Sequence, residues 1–178
     1  MKDVKTQLMQ LADLMQAERS NMLRYACYRL GDPEEAADVL QDVYISVHTQ
    51  IYNDDSVKIL NLKSYLFRSL SNHCIDRLQN RSKRIVLSID TVHDIADVSE
   101  EYSEADYVRV TKMLALLPEE QAEVIRLRIY GGKSFVDIAA ILALPLSTEK
   151  SRFIYGLNKL RKYMNEESTV SHIKHLQP

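Results

Sequence analysis

The chain has 178 residues, a formal net charge of −2, 46% hydrophobic residues, four glycines, four prolines and two cysteines. Its length suits one ordinary domain or two small ones, and the scarcity of glycine and proline, with abundant Leu, Ala, Glu and Arg, predicts an all-α fold with short turns. No apolar run reaches the ~18 residues of a membrane helix, and the amphipathic, charged start MKDVKTQLMQ differs from a signal peptide, so a cytoplasmic protein, not embedded in a membrane, is expected. Cys27 and Cys74 lack C-x-x-C spacing and read as unpaired thiols in a reducing compartment.

In chain order, residues 6–30 carry Leu8, Leu11, Leu14, Met15, Met22 and Leu23 at helical intervals until Gly31 stops the pattern. Asp32 is placed to cap a second helix, with Pro33 at its first position and Glu34 and Glu35 at its positive end, predicting a helix from Pro33 to about Thr49. Residues 51–61, which contain YNDDS, read as a polar loop. A third helix follows from Leu62 to about Lys83, striped by Tyr65, Leu66, Phe67, Leu70, Ile75 and Leu78. Periodicity then weakens over 85–103, which reads as a linker. Beyond it come a helix over 105–116 and another restarted by Leu117-Pro118-Glu119-Glu120 and ended by Gly131-Gly132.

The last pair of helices is the most informative. Val136, Ile138, Ala139, Ile141 and Leu142 form one apolar face, Pro145 breaks the helix, and Ser147 is positioned to cap the next one, which buries Phe153, Leu157, Leu160 and Met164. Lys150, Arg152, Lys159 and Lys162 fall on its other sides. This is the sequence form of a helix-turn-helix, whose second helix can enter a major groove. The small net charge hides sorted blocks. Residues 61–84 carry 6 basic against 1 acidic, 85–110 carry 1 against 7, and 111–165 carry 9 against 5. Two basic patches divided by an acidic segment suggest two contacts with a polyanion. In the tail from 166 to 178, His172 and His175 lack partners for a metal. With no glycine-rich phosphate loop and no nucleophile with an evident base, neither catalysis nor a cofactor is expected.

The series DVLQDVYISV (38–47), YLFRSLSNHCIDRLQNRSKR (65–84), PEEQAEVIRLR (118–128) and TEKSR (148–152) resembles, in order and spacing, bacterial RNA polymerase sigma factors of the extracytoplasmic-function group of the sigma-70 family. The resemblance implies two small helical domains joined by an acidic linker. Residues 1–84 correspond to the domain that binds core polymerase and recognises and melts the minus-ten element, and 85–104 to the linker. Residues 105–165 correspond to the domain that reads the minus-thirty-five element through its helix-turn-helix, with 166–178 a flexible tail.

It also implies roles for individual residues. Asp38, Gln41, Asp42 and Tyr44 match the helix laid on the clamp helices of the polymerase largest subunit, the polymerase flap being the second contact. Tyr52, Asn53 and Lys58 match a pocket for a flipped base, and Asn72, His73, Arg77, Arg81 and Arg84 a face along the opened strand, where Ser71 replaces a usual arginine. Ser147, Thr148, Lys150, Ser151, Arg152, Tyr155 and Lys159 match the recognition helix, and Arg126, Arg128 and Lys133 are candidate backbone contacts. Glu149 stands where an aliphatic residue is usual and is expected to point outward while Leu146 fills the gap. Ala143 replaces a turn glycine, which implies mild strain or a different turn. An anti-sigma factor is a further partner that the resemblance suggests. Two other readings fit the residues alone: a self-sufficient helix-turn-helix regulator of duplex DNA, and a helical adaptor without DNA contact.

Overall fold

The computed structural model describes residues 2–53, 59–85 and 104–174, those at 2–3, 83–85, 104–105 and 167–174 by backbone only. Among the described residues there are helices and no strands, in the order α1 (Lys2–Leu30), α2 (Pro33–Asn53), α3 (Leu62–Ile85), α4 (Glu104–Ala115), α5 (Glu119–Ile125, continued by a π-helical turn over Arg126–Tyr130), α6 (Phe135–Leu142) and α7 (Leu146–Lys174). None of these helices is long and apolar enough to cross a membrane.

Local chemistry sets most boundaries. Gly31 takes a left-handed φ of 72° and returns its N–H to the Cys27 carbonyl, closing α1. The Asp32 carboxylate then accepts from the Glu34 and Glu35 amides and opens α2. The Asn61 side chain caps α3 through the Ser64 amide, and Ser134 with Asp137 forms a reciprocal capping box at α6. Ala143 ends α6 at φ 55° and ψ 45°, so the turn keeps its usual left-handed shape and the alanine carries the strain.

Several boundaries differ from expectation. The apolar stripe of α2 continues through buried Ile51, so the helix runs to Asn53 and takes Tyr52 and Asn53 out of the loop. Pro145 itself precedes α7, its carbonyl accepting from Thr148 and Glu149, so Ser147 lies inside the first turn and is not the cap. Helix α7 continues to Lys174, past its expected end near Met164, and Met164 is exposed. Val136 is exposed on the outer side of the first turn of α6, and Phe135 packs edge-on against Phe153 in its place. The expected linker lies mostly outside the described residues, as do Lys58 and His175.

The core determines how the two halves sit. One cluster joins Tyr25, Phe67 and Leu70 of the first half to Val124, Leu127, Ile138 and Ile141 of the second. A smaller one, around Leu114, Leu117, Ala122 and Ile125, receives Phe153, Leu157 and Leu160 of α7. Gly156, buried in α7, lets that helix close on α5. Cys27 and Cys74 are free and buried; desolvation pushes their thiols up to about 11 and about 12, away from thiolate reactivity.

Candidate nucleic-acid interface

The basic residues of α3 project along the edge it shares with α1 and α2. Arg77 lies 2.9 Å from the Asp42 carboxylate, and Arg81 donates to the Leu30 carbonyl at 3.0 Å and pairs with Glu35. His73 Nδ1 sits 2.9 Å from the Ser69 carbonyl, and Asn72 and Asp76 lie along the same helix. Arg84 is on that helix too, with its side chain outside the described residues. Arg77 and Arg81 are thus held in place by acids or carbonyls of neighbouring helices. Asp38 and Gln41 are exposed on the outer side of α2 beside Asp42, and Tyr44 is half-buried below them. At the end of α2, Tyr52 is 67% exposed with its ring parallel to His48, and Asn53 is exposed beside it.

In α7, Ser147, Lys150, Ser151, Tyr155 and Lys159 are exposed, with Thr148 half-buried. Ser151 turns its hydroxyl back to the Ser147 carbonyl, which leaves Tyr155 as a long polar group of the outer face, with Lys150 and Lys159 flanking that face on opposite sides. Arg152 is half-buried and lies 3.8 Å from Glu149.

Three expectations are corrected. Glu149 does not point outward: it is 0% exposed, neither carboxylate oxygen has a hydrogen-bond partner, and burial raises its pKa. The cause is its register, since Glu149 precedes Phe153, Leu157 and Leu160 on the stripe that faces α5; Leu146, which was to fill that space, lies at the surface instead. Lys133 is 1% exposed, bonded to Glu18 at 2.6 Å and seated over the Phe67 ring, so it is not free for a phosphate. Arg126 is buried between Glu119 and Glu123 and is likewise unavailable. Of that trio only Arg128 reaches the surface, steadied by the Lys133 carbonyl and the Phe135 ring.

A set of residues that the sequence did not single out joins the two halves. Glu123 of α5 accepts from the Tyr25 hydroxyl at 2.5 Å and the Ser71 hydroxyl at 2.9 Å, and pairs with Arg29. Glu18 of α1 binds Lys133 from the second half and Lys63 from α3. These hydrogen bonds outweigh the upward push of burial and bring the Glu18 carboxyl down to about 2. Arg68 donates to the Ile141 and Ala140 carbonyls at the end of α6, and Tyr28 stacks on Tyr130 at 3.6 Å.

Comparison with known proteins accounts for both halves. Residues 14–84 match the family model "Sigma-70 region 2" and residues 113–162 match "Sigma-70, region 4". The chain is 30% identical over 135 residues to the ECF RNA polymerase sigma factor RpoE of Cereibacter sphaeroides, covering 74% of this chain and 73% of that one. It belongs to the ECF group of sigma-70 factors. This sigma factor is also 28% identical over 158 residues to SigW of Bacillus subtilis, covering 79% and 81% of the two chains. Among solved structures, CnrH in complex with the cytosolic domain of CnrY shares its fold, with a TM-score of 0.67 over 93% of this chain and 94% of that one at 18% identity. The sigma factor RpoE of Bartonella quintana, solved with the anti-sigma factor NepR, has a TM-score of 0.60 at 26% identity over 93% and 98%. The protein is accordingly a promoter-directing RNA polymerase initiation factor with an all-α fold in two parts.

Proposed function

We propose that residues 1–84 bind core polymerase and the opened minus-ten strand, that 85–104 is the connecting segment, and that 105–165 read the minus-thirty-five duplex. In the first part, Asp38, Gln41, Asp42 and Tyr44 are the polymerase-facing group on α2. Asn72, His73, Arg77, Arg81 and Arg84, with Tyr52, Asn53 and Lys58, are the strand-facing group. In the second part, Ser147, Thr148, Lys150, Ser151, Arg152, Tyr155 and Lys159 of α7 enter the major groove, with Arg128 on the flanking phosphate. The observation that carries this reading is the exposed side of α7, the second helix of a helix-turn-helix, where Ser147, Ser151 and Tyr155 line the outer face and Lys150 and Lys159 flank it on opposite sides.

The protein contributes binding and no chemistry of its own, and works in the bacterial cytoplasm. Its partners are the clamp helices and flap of core polymerase, promoter DNA and an anti-sigma factor; the last is supported by the solved relative bound to NepR.

The test is a double substitution, Lys150→Ala with Arg152→Ala, assayed for core binding without DNA and for transcription from promoters selected from a library. Core binding is expected to be unchanged, and discrimination at the upstream element to fall by about 1–3 kcal/mol for each base-edge hydrogen-bonding pair removed. Loss of core binding, or unchanged upstream discrimination, would overturn the assignment.

A further inference from the structure

The third turn of α7 exposes two large apolar side chains side by side. Ile154 is 56% exposed and Tyr155 61%, and neither belongs to the stripe of Phe153, Leu157 and Leu160 that packs on the smaller core cluster. At about 100° per residue, Ile154 lies about 60° to one side of Ser151 and Tyr155 about 40° to the other, so the two straddle the middle of the outer face. From Ser147 to Tyr155 that face is about 12 Å long, or roughly three to four base pairs at 3.4 Å per step. The only arginine in this span is Arg152, which is half-buried, 3.8 Å from Glu149 and about 100° round from Ser151. The middle of the face therefore offers short hydroxyls and two large apolar groups, and no guanidinium for the two-point contact that selects guanine. Thymine is the base that presents an apolar group, its C5-methyl, to the major groove. We infer that Ile154 and Tyr155 are specificity-determining residues that read thymine methyls in the minus-thirty-five element; this rests on the function proposed above.

The flanking charges identify the occupant as duplex DNA. Lys150 and Lys159 stand about 100° and 80° from Ser151 on opposite sides, and Arg161, further along on the side of Lys150, is exposed and positive too. A major groove about 12 Å wide is bordered by phosphates of both strands, so cations on both flanks engage the two backbones and leave the strip between them over base edges. Ile154 and Tyr155 occupy that strip. Each methyl that they take out of water favours the complex about fourfold, and two such contacts together favour it about fifteenfold over bases without the methyl. The preference is set by shape and apolar contact, so it should respond to salt far less than the phosphate contacts of the lysines do.

The test uses the full chain with core polymerase. Upstream elements are selected from a randomised library, then remade with deoxyuridine at each thymine in turn, which removes the methyl and nothing else. The selected elements should carry thymine, on either strand, at two of the positions that α7 covers, and deoxyuridine at either should weaken promoter binding about fourfold. Ile154→Ser and Tyr155→Ser, both at exposed positions, should each abolish one of the two deoxyuridine effects and leave core binding without DNA unchanged. Tyr155→Arg should turn the base selected at its position to guanine. Selected elements without thymine, deoxyuridine without effect at every thymine, or an Ile154→Ser variant that loses core affinity, which would make the pair a polymerase contact, would each overturn the inference. If Lys150→Ala with Arg152→Ala abolishes upstream discrimination while deoxyuridine has no effect, this inference alone falls; if neither has an effect, the functional reading of α7 falls with it.

Discussion

Ala143 makes the turn of the helix-turn-helix testable by a single methyl group. It sits at φ 55° and ψ 45°, a conformation that costs a residue with a Cβ roughly 1–2 kcal/mol, and it is exposed, so no packing is lost on trimming it. Ala143→Gly removes that strain and adds freedom to the unfolded chain, an opposing loss of about 0.4–1 kcal/mol. The mid-values of these ranges leave a net gain of about 0.8 kcal/mol, and at ~2–4 °C per kcal/mol for a chain of this size the melting temperature should rise by about 2–3 °C. Ala143→Val reverses the sign, because a β-branched residue is poorly tolerated at positive φ and should cost about 1–3 kcal/mol. Thermal melts followed by circular dichroism in the far ultraviolet, with urea midpoints as a second measure, rank the three proteins. A glycine variant no more stable than the parent, or a valine variant equal to it, would refute the assignment of strain to this turn.

Gly156→Ala should destabilise by a net ~1 kcal/mol, because the added Cβ would lie 2.7 Å from Ile125 Cδ1 and 3.3 Å from Gln121 Cβ, and this overpacking outweighs the ~0.5–1 kcal/mol that alanine gains over glycine inside a helix; an unchanged urea midpoint would count against close packing of α7 on α5. Glu18 titrates at an ordinary 4.5 when unfolded and at about 2 when folded, so its contribution is fully present above pH 4.5 and fades as pH falls toward 2. Lys133→Met removes its strongest partner and should move the acid-unfolding midpoint to higher pH, as seen in melts across that acid range; a midpoint that stays put would deny the pair its role. Arg77→Ala breaks only a half-exposed pair with Asp42 and should change stability by less than about 1 kcal/mol. The same substitution should reduce the salt slope of promoter binding by roughly one unit, and an unaltered slope would remove Arg77 from the strand-facing group.

The legible part of this chain was the part with local causes. Gly31, Asp32 and Pro33 mark a helix end and a helix start within three residues, and the structure uses each as its chemistry suggests. The helix-turn-helix was equally visible, since helical apolar spacing and a proline are short-range signals. Glu149 was misjudged although its fate was written in the stripe: it stands four residues before Phe153, and the rotation of α7 leaves it no outward direction. The capping box of Ser134 and Asp137 is likewise written in the S-x-x-D spacing that opens α6. What the sequence did not reveal was the joining of the halves. Glu18 and Lys133 are separated by 115 positions, and no periodicity or cap links residues so far apart. Lys133 and Arg126 therefore looked like surface cations, when tertiary pairing had already used them.

The wide turn after α5 gives the chain a length tolerance at a sensitive place. Between Arg126 and Tyr130 the hydrogen bonds span five residues, as in the Gly131 amide to the Arg126 carbonyl, so this turn stores one residue more than an α-helix would. A deletion here can be absorbed by tightening the turn to ordinary α geometry, whereas a deletion in a regular stretch of α-helix would rotate everything downstream by about 100°, since each residue advances an α-helix by that angle at 3.6 per turn. Lys133 can thereby keep its place beside Glu18, and α7 its orientation, through the loss of one residue. Arg126–Tyr130 is thus the stretch of the second half where a one-residue change in length disturbs the aim of α7 least.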